Sequence, residues 1–353
     1  RDEADITVLL FTDEPLGLGA VEIHREGSGA EAEHEGEGDE NCFERVHDGG
    51  SSEKFGVLGK HVFKLAINFD PHLLVDLDIE IDFDGLVRRL NFDRRVAGGK
   101  RQQQVTYKNS FQFTNNEKWA LVANFTPAQS VTVVDLEKRE ILSEIDLPGC
   151  TMIYPTGEHG FSTFCADGTV STLLLAADGT LASTQTTKPI LEVDEQPLFA
   201  MPAMVGKTAW FVSYYGQLQG FDFSGPVAVP IDGTFSVGTA EGGSPEWRPG
   251  GWQVIASDAA GRLYILMSPE GTEGSHKSGG TEVWVMDPGT KTRVARIPVQ
   301  GVGVSIDVTR EATPHLVVAR ADSIVDIYDA NTGAFVRTLG NVAFNPQTLS
   351  VFN

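Results

Sequence analysis

The sequence predicts an all-β chain folded as a β-propeller of antiparallel blades, and three observations carry that expectation. Short runs rich in Val, Ile, Leu, Tyr and Trp alternate partially with polar residues, while no long stretch follows the 3.6-residue period of a helix. A strand–Asp–turn–strand unit recurs, with its turn acid at Asp135, Asp178, Asp222, Asp287 and Asp329, at intervals of 43, 44, 65 and 42 residues. The long interval contains a Gly-rich insertion, "SPEGTEGSHKSGG" at 268–280. A repeat of about 40–45 residues built from roughly four short strands is the sequence signature of a propeller blade. One blade cannot bury both of its faces, so several must pack together before any is stable. At this period 353 residues hold about seven or eight blades, fewer once insertions are subtracted. Two packed β-sandwiches compete with this reading, and the regular interval argues against them.

In chain order, the opening "RDEADITVLLFTDEP" lacks a basic start followed by an apolar run and does not read as a signal peptide; an already processed chain would look the same. Residues 25–54 are acidic, Gly-rich and poor in apolar side chains, which predicts a surface arm or loop over 1–54 and a propeller over 55–353. "DLDIEIDFDG" (76–85) alternates acids with apolar residues. An EF-hand reading with Gly85 in the sixth position puts Asn91, not Glu, in the twelfth. A half-exposed strand with a solvated acidic face fits better. From residue 118 onward, "KWALVANF" (118–125), "TAWFVSYYG" (208–216), "RLYILM" (262–267) and "PHLVVAR" (314–320) supply companion strands just before the turn acids. Turn residues such as "TNNEK" and "SDAAGR" introduce several of them.

Composition limits the function classes. With 49 acidic and 27 basic residues the net charge is -22, which disfavours nucleic acid and suits a partner with a positive patch. No stretch approaches the ~18 consecutive apolar residues of a membrane span. The three cysteines include no C-x-x-C and no zinc-ligand spacing. Cys150 and Cys165 flank a turn at 156–160; on spacing alone, a bridge across neighbouring strands and two buried thiols remain equally open. His34, Cys42 and His47 are close in sequence but lie in the acidic stretch without the spacing of a structural zinc site, and surface positions suit them better.

No phosphate-binding loop, nucleophile elbow or H-E-x-x-H motif is present, and the eight histidines are scattered. The expectation is therefore a chain with no catalytic, cofactor-binding or metal-binding residue of its own. "EWRPGGWQ" (246–253) is the least ordinary segment: Trp247, Arg248 and Trp252 are candidates for a subunit contact, and tryptophans wedged between blades by a Pro-Gly-Gly turn are the alternative.

"EWRPGGWQ", "GRLYILM" and "HKSGGTEVWVMDPGTKTRVARIP", together with "PGCTMIYP", "FSTFCADG", "WFVSYYGQLQGFDFSG" and "SIVDIYDANTGAFVRTL", resemble the heavy subunit of the periplasmic quinoprotein amine dehydrogenases in the same order. The resemblance runs from about Tyr107 to the C-terminus, and residues 1–106 match poorly, although "AGGKRQQQV" (97–105) is similar to a Gly-Lys-Arg segment of the family. It implies a seven-bladed propeller of four-stranded blades, with two heavy chains holding two light chains. It also implies that the redox group, tryptophan tryptophylquinone, is built from two tryptophans of the light chain, and that no cofactor or catalytic residue belongs to this one. A Cys150–Cys165 disulfide, a periplasmic location and electron delivery to a blue-copper protein, amicyanin or azurin, follow from the same resemblance. The Arg and second Trp of "WRPGGWQ" look more like the methylamine enzyme, whereas "FVSYYG" and "EVWVMDPGTKTRVARIP" look more like the aromatic amine enzyme. The methylamine member is preferred; an aromatic amine heavy subunit, a self-sufficient propeller hydrolase or lactonase with an axial metal, and a generic interaction propeller are the alternatives.

Overall fold

The computed structural model describes residues 107–125, 128–237, 246–269, 271–340 and 348–351, together with the backbone of seven strands between Ile6 and Phe92 and of Phe352. Strands dominate the described chain, and the only helical pieces in it are the short turns Lys108–Ser110 and Ser275–Lys277.

The first fully described blade is a four-stranded antiparallel meander, Phe111–Thr114, Trp119–Asn124, Ser130–Asp135 and Glu140–Asp146. The second repeats it with Cys150–Thr156, Gly160–Cys165, Val170–Leu175 and Leu181–Thr186. In the third, Ala203–Val205, Thr208–Val212 and Gln217–Asp222 are followed by two short edge pieces, Val229–Pro230 and Phe235–Ser236, which share the third strand between them.

The fourth and fifth blades share a strand. Residues 292–298 of Thr292–Val308 pair with Gly280–Asp287 as the outer strand of the fourth blade, behind Ile255–Ser257 and Leu263–Ser268. Residues 303–308 then pair with His315–Arg320 and open the fifth, which continues through Val325–Asp329 to Phe335–Leu339. The 65-residue interval between Asp222 and Asp287 thus still contains a single blade, lengthened by its loops.

Burial explains why the alternation in the sequence is only partial. Every residue of Trp119–Asn124, Ser130–Asp135 and Leu263–Ser268 is buried, because neighbouring blades cover both faces of the middle strands. The outer strand Leu181–Thr186 is exposed at every residue. Between the second and third blades the filling is aromatic: Tyr154, Phe164, Phe211, Phe221 and Phe223 interlock with ring centroids 4.7–5.9 Å apart.

The five turn acids have one job. Asp135 accepts the backbone N–H groups of Glu137 and Lys138, Asp178 that of Thr180, Asp222 that of Ser224, Asp287 those of Gly289 and Thr290, and Asp329 those of Asn331 and Thr332. Each carboxylate closes the turn after the third strand of its blade, which is why an acid recurs there.

Cys150 and Cys165 stand opposite each other on paired strands and are joined by a disulfide, which resolves the choice between bridge and free thiols. In the N-terminal third, Leu77–Phe83 is a strand paired with Phe63–Ile67 and Leu86–Phe92, in keeping with the strand reading of 76–85. Ile6–Phe11 pairs with both Leu18–Ile23 and the C-terminal Thr348–Phe352. A hairpin, Phe43–Val46 with Ser52–Phe55, lies within the acidic stretch. His34, Cys42 and His47, with the rest of 25–42, lie outside the described residues.

Candidate functional site

Two places gather polar and aromatic side chains. The first is a cavity of about 430 Å³ among the inner strands, lined in part by Lys108, Gln112, Met204, Gln253, Asp307 and Arg310. Asp307 is the penultimate residue of the inner strand of the fifth blade, where its carboxylate accepts the backbone N–H groups of Val308 and Val351 and stands 3.4 Å from the Lys108 ammonium. Arg310 donates to the carbonyl oxygens of Met204 and Asp258 and to Ser257 Oγ, and so ties the inner strands of the third, fourth and fifth blades together. The Gln253 amide donates to Ile306 O and accepts the N–H of Leu349. Tyr154 donates its hydroxyl to Ala200 O, and burial pushes its ionisation far above the usual tyrosine range, so it holds its proton. Among the described residues no group of three or more His, Cys, Asp and Glu side chains converges to hold a metal ion. These contacts can fix the blades to one another.

The second place is a face of the fold. Strand direction reverses at every step across a blade, so the loops after the second strands emerge opposite the Asp-closed turns. Two such loops meet here. Tyr214 lies flat on His276, with ring centroids 4.1 Å apart at 12°, and Phe199 meets Tyr214 edge-on at 4.7 Å. Arg248 sits 4.6 Å above the Tyr215 ring and 3.0 Å from Glu246, and the Tyr215 hydroxyl reaches Glu273 at 3.4 Å. The Gly-rich insertion at 268–280 is thereby docked on the third blade. Burial, with Lys277 beside it, holds the His276 imidazole below its ordinary range, so it is neutral at pH 7.

The segment "EWRPGGWQ" does not gather its three candidates into one patch. Trp247 packs 5.5 Å from Trp284, and the Arg296 guanidinium lies 5.0 Å from each ring. Arg248 turns toward Tyr215. Trp252 stacks on Tyr107 at 4.7 Å and 7°. Gly251 makes the divergence possible: its φ is +133°, and a Cβ there would lie 2.5 Å from Val304 O. The Trp252 N–H donates to that same oxygen. Both tryptophans are packed on other rings, and all three side chains also keep part of their surface in solvent.

Phe199, Tyr214, Tyr215 and His276 were not singled out by the sequence. The adjacent tyrosines in a turn after a strand were the available signal, and nothing in linear spacing tied them to a histidine about sixty residues away in a Gly-rich insertion.

A sequence model of the methylamine dehydrogenase heavy chain family matches residues 78–352. A methylamine dehydrogenase heavy chain from Paracoccus versutus is 30% identical over 253 residues, covering 69% of this chain and 57% of that protein. The counterpart from Methylorubrum extorquens is 27% identical over 249 residues, covering 69% of this chain and 60% of that protein. The chain thus spans three fifths or less of the length of these curated relatives. Among solved structures, a candidate 6-phosphogluconolactonase from Bacteroides fragilis aligns over 99% of this chain and 98% of its own, with a TM-score of 0.56 at 14% identity, a likeness of fold alone. The Swd1 β-propeller domain of Myceliophteria thermophila aligns over 71% of this chain and 73% of its own, with a TM-score of 0.42 at 12% identity.

Proposed function

The chain belongs to the methylamine dehydrogenase heavy chain family, and we propose that it is the non-catalytic heavy subunit of a periplasmic methylamine dehydrogenase. In this reading the complex converts a primary amine and water to aldehyde and ammonia, and the two electrons released pass to a blue-copper protein such as amicyanin. Tryptophan tryptophylquinone, held by the light chain, supplies the electron-accepting chemistry. This chain supplies a rigid seven-bladed seat, two copies of it holding two light chains, and it helps to shape the channel by which the amine enters.

The observation that carries the proposal is the family match across 78–352. Two others support it. The Cys150–Cys165 disulfide suits an oxidising compartment. The polar groups around the cavity are engaged with one another, as a scaffold requires. Trp247, Arg248 and Trp252 stay the proposed subunit contacts at three separate places, and the loops that carry Tyr214, Tyr215 and His276 join Arg248 in the proposed seat of the light chain: rigid aromatics and an arginine are the residue types that anchor interfaces.

Purification from its native host tests this. The chain should arrive with a small Cys-rich subunit absorbing in the visible, and the complex should reduce a dye faster with methylamine than with tryptamine. A tryptamine preference would move the assignment to the aromatic amine enzyme. A colourless chain that hydrolyses lactones alone, and stops when chelated, would replace the proposal with the hydrolase.

A further inference from the structure

We propose that the cavity among the inner strands binds a small organic carboxylate, its charged end at Lys108 and Arg310 and its apolar body against the walls. All five described blades contribute to this cavity: Gln112 from the first, Tyr154 from the second, Ala203 from the third, Ile255 from the fourth and Asp307 from the fifth. Its volume, about 430 Å³, is that of a small-molecule site. The exposed lining residues Met204 and Arg310 mark where it meets solvent.

Charge selects an anion. Among the described lining residues only Lys108, Asp307 and Arg310 are charged at pH 7, since Tyr154 holds its proton. Two cations against one carboxylate leave a positive excess, on a chain whose net charge is -22. The Asp307 carboxylate already accepts from the N–H groups of Val308 and Val351 and from Lys108. The Lys108 ammonium has three donors, and among the described residues only Asp307 takes one, over 3.4 Å. An incoming carboxylate therefore finds donors, whereas an incoming ammonium finds an acceptor in use and two like charges. Arg310 adds a charge that no physiological pH removes.

The walls select the rest of the molecule. Met201, Ala203, Phe223, Ile255, Val308 and Val351 face the cavity with apolar side chains. Apolar walls also focus the field of the cations on the space between them. Inorganic phosphate gains nothing from burying these walls, while an alkyl tail gains about four-fold in affinity for each methylene it takes out of water. A carboxylate with a short apolar body satisfies both halves of the site.

This inference does not depend on amine oxidation, and its test reads binding rather than turnover. Calorimetry on the full chain, with any light subunit that accompanies it, compares butyrate, hexanoate, hexylamine and inorganic phosphate at matched ionic strength. One hexanoate should bind per chain, about ten-fold more tightly than butyrate, and its affinity should fall as salt rises. Hexylamine and phosphate should bind several-fold more weakly than hexanoate. Lys108→Met removes one cation, and Gln112→Glu sets a second carboxylate on the wall; each should weaken hexanoate several-fold. Lys188→Met, which removes an exposed cation outside the cavity, should leave hexanoate binding unchanged. Thermal unfolding of each variant separates lost folding from lost binding. Absence of hexanoate binding, hexylamine or phosphate bound as tightly as hexanoate, or full hexanoate affinity in both cavity variants would overturn the proposal. None of these outcomes touches the amine dehydrogenase reading, which dye reduction decides.

Discussion

The Lys108 ammonium stands 3.4 Å from the Asp307 carboxylate, and this pair joins the turn that precedes the first described blade to the inner strand of the fifth. Asp307 has more to hold than the lysine, because Val308 and Val351 also donate to it.

Replacing Asp307 with alanine should therefore cost about 1–3 kcal/mol in denaturant unfolding, since two backbone donors lose their acceptor. Lys108→Met, which removes a partly exposed ion pair, should cost about 1 kcal/mol or less. Equal losses in the two variants would mean that the ion pair, rather than the amide contacts, is what matters.

Cys150→Ser combined with Cys165→Ser should lower stability by roughly 3 kcal/mol, the loop-closure value for a bridge of 15-residue separation. Chemical reduction of the unsubstituted chain should shift the unfolding midpoint by the same amount. An unchanged midpoint after verified reduction would show that the bridge is thermodynamically idle.

The turn acids should make the fold acid-sensitive. In Asp135 burial works to raise the pKa, but the N–H donors of Lys138 and Glu137, with the Lys138 charge, outweigh it and leave the group low. In Asp178 and Asp222 side-chain hydroxyl donors come first, and in Asp287 and Asp329 backbone N–H donors do. All five are lower folded than unfolded. Their stabilisation is thus present above the ordinary carboxylate range near pH 4, and it is lost as pH falls through the depressed folded values. Asp135→Asn with Asp329→Asn keeps an acceptor at each turn, and should flatten the dependence of stability on pH between about 2 and 5. A slope as steep as the original would reassign acid sensitivity to other groups.

Gly251→Ala should cost about 1–3 kcal/mol from backbone strain alone, with a collision at Val304 O added to it. Gly206→Ala is the milder comparison: its φ of +59° lies in the left-handed region that L residues sometimes adopt, a Cβ there would meet open space, and the cost should be about 1 kcal/mol. Thermal unfolding should show the larger loss in Gly251→Ala, and equal losses would remove both its wider φ and the collision from the account.

The blades were legible because the physics behind them is local. Each Asp binds amides two or three residues ahead, so the five turns could be read from local sequence, with three of their four intervals agreeing and the 65-residue one standing apart. Strand interiors were harder. Burial on both faces turns alternation into continuous apolar runs, as in Leu263–Ser268, which periodicity cannot tell from other buried elements. The pairing of Cys150 with Cys165 was geometrically open until their strands were placed in register. What sequence reasoning missed was contact across blades. Trp247, Arg248 and Trp252 are neighbours along the chain, yet each finds a different ring, Trp284, Tyr215 and Tyr107 respectively. Trp284 belongs to the same blade as Trp247, while Tyr215 and Tyr107 are brought in by the packing of other sheets, and no spacing rule encodes either.

The unbroken run of Thr292–Val308 couples the fourth and fifth blades mechanically: pulling the outer strand of one draws directly on the first strand of the next. Their amides should exchange with solvent as one cooperative block.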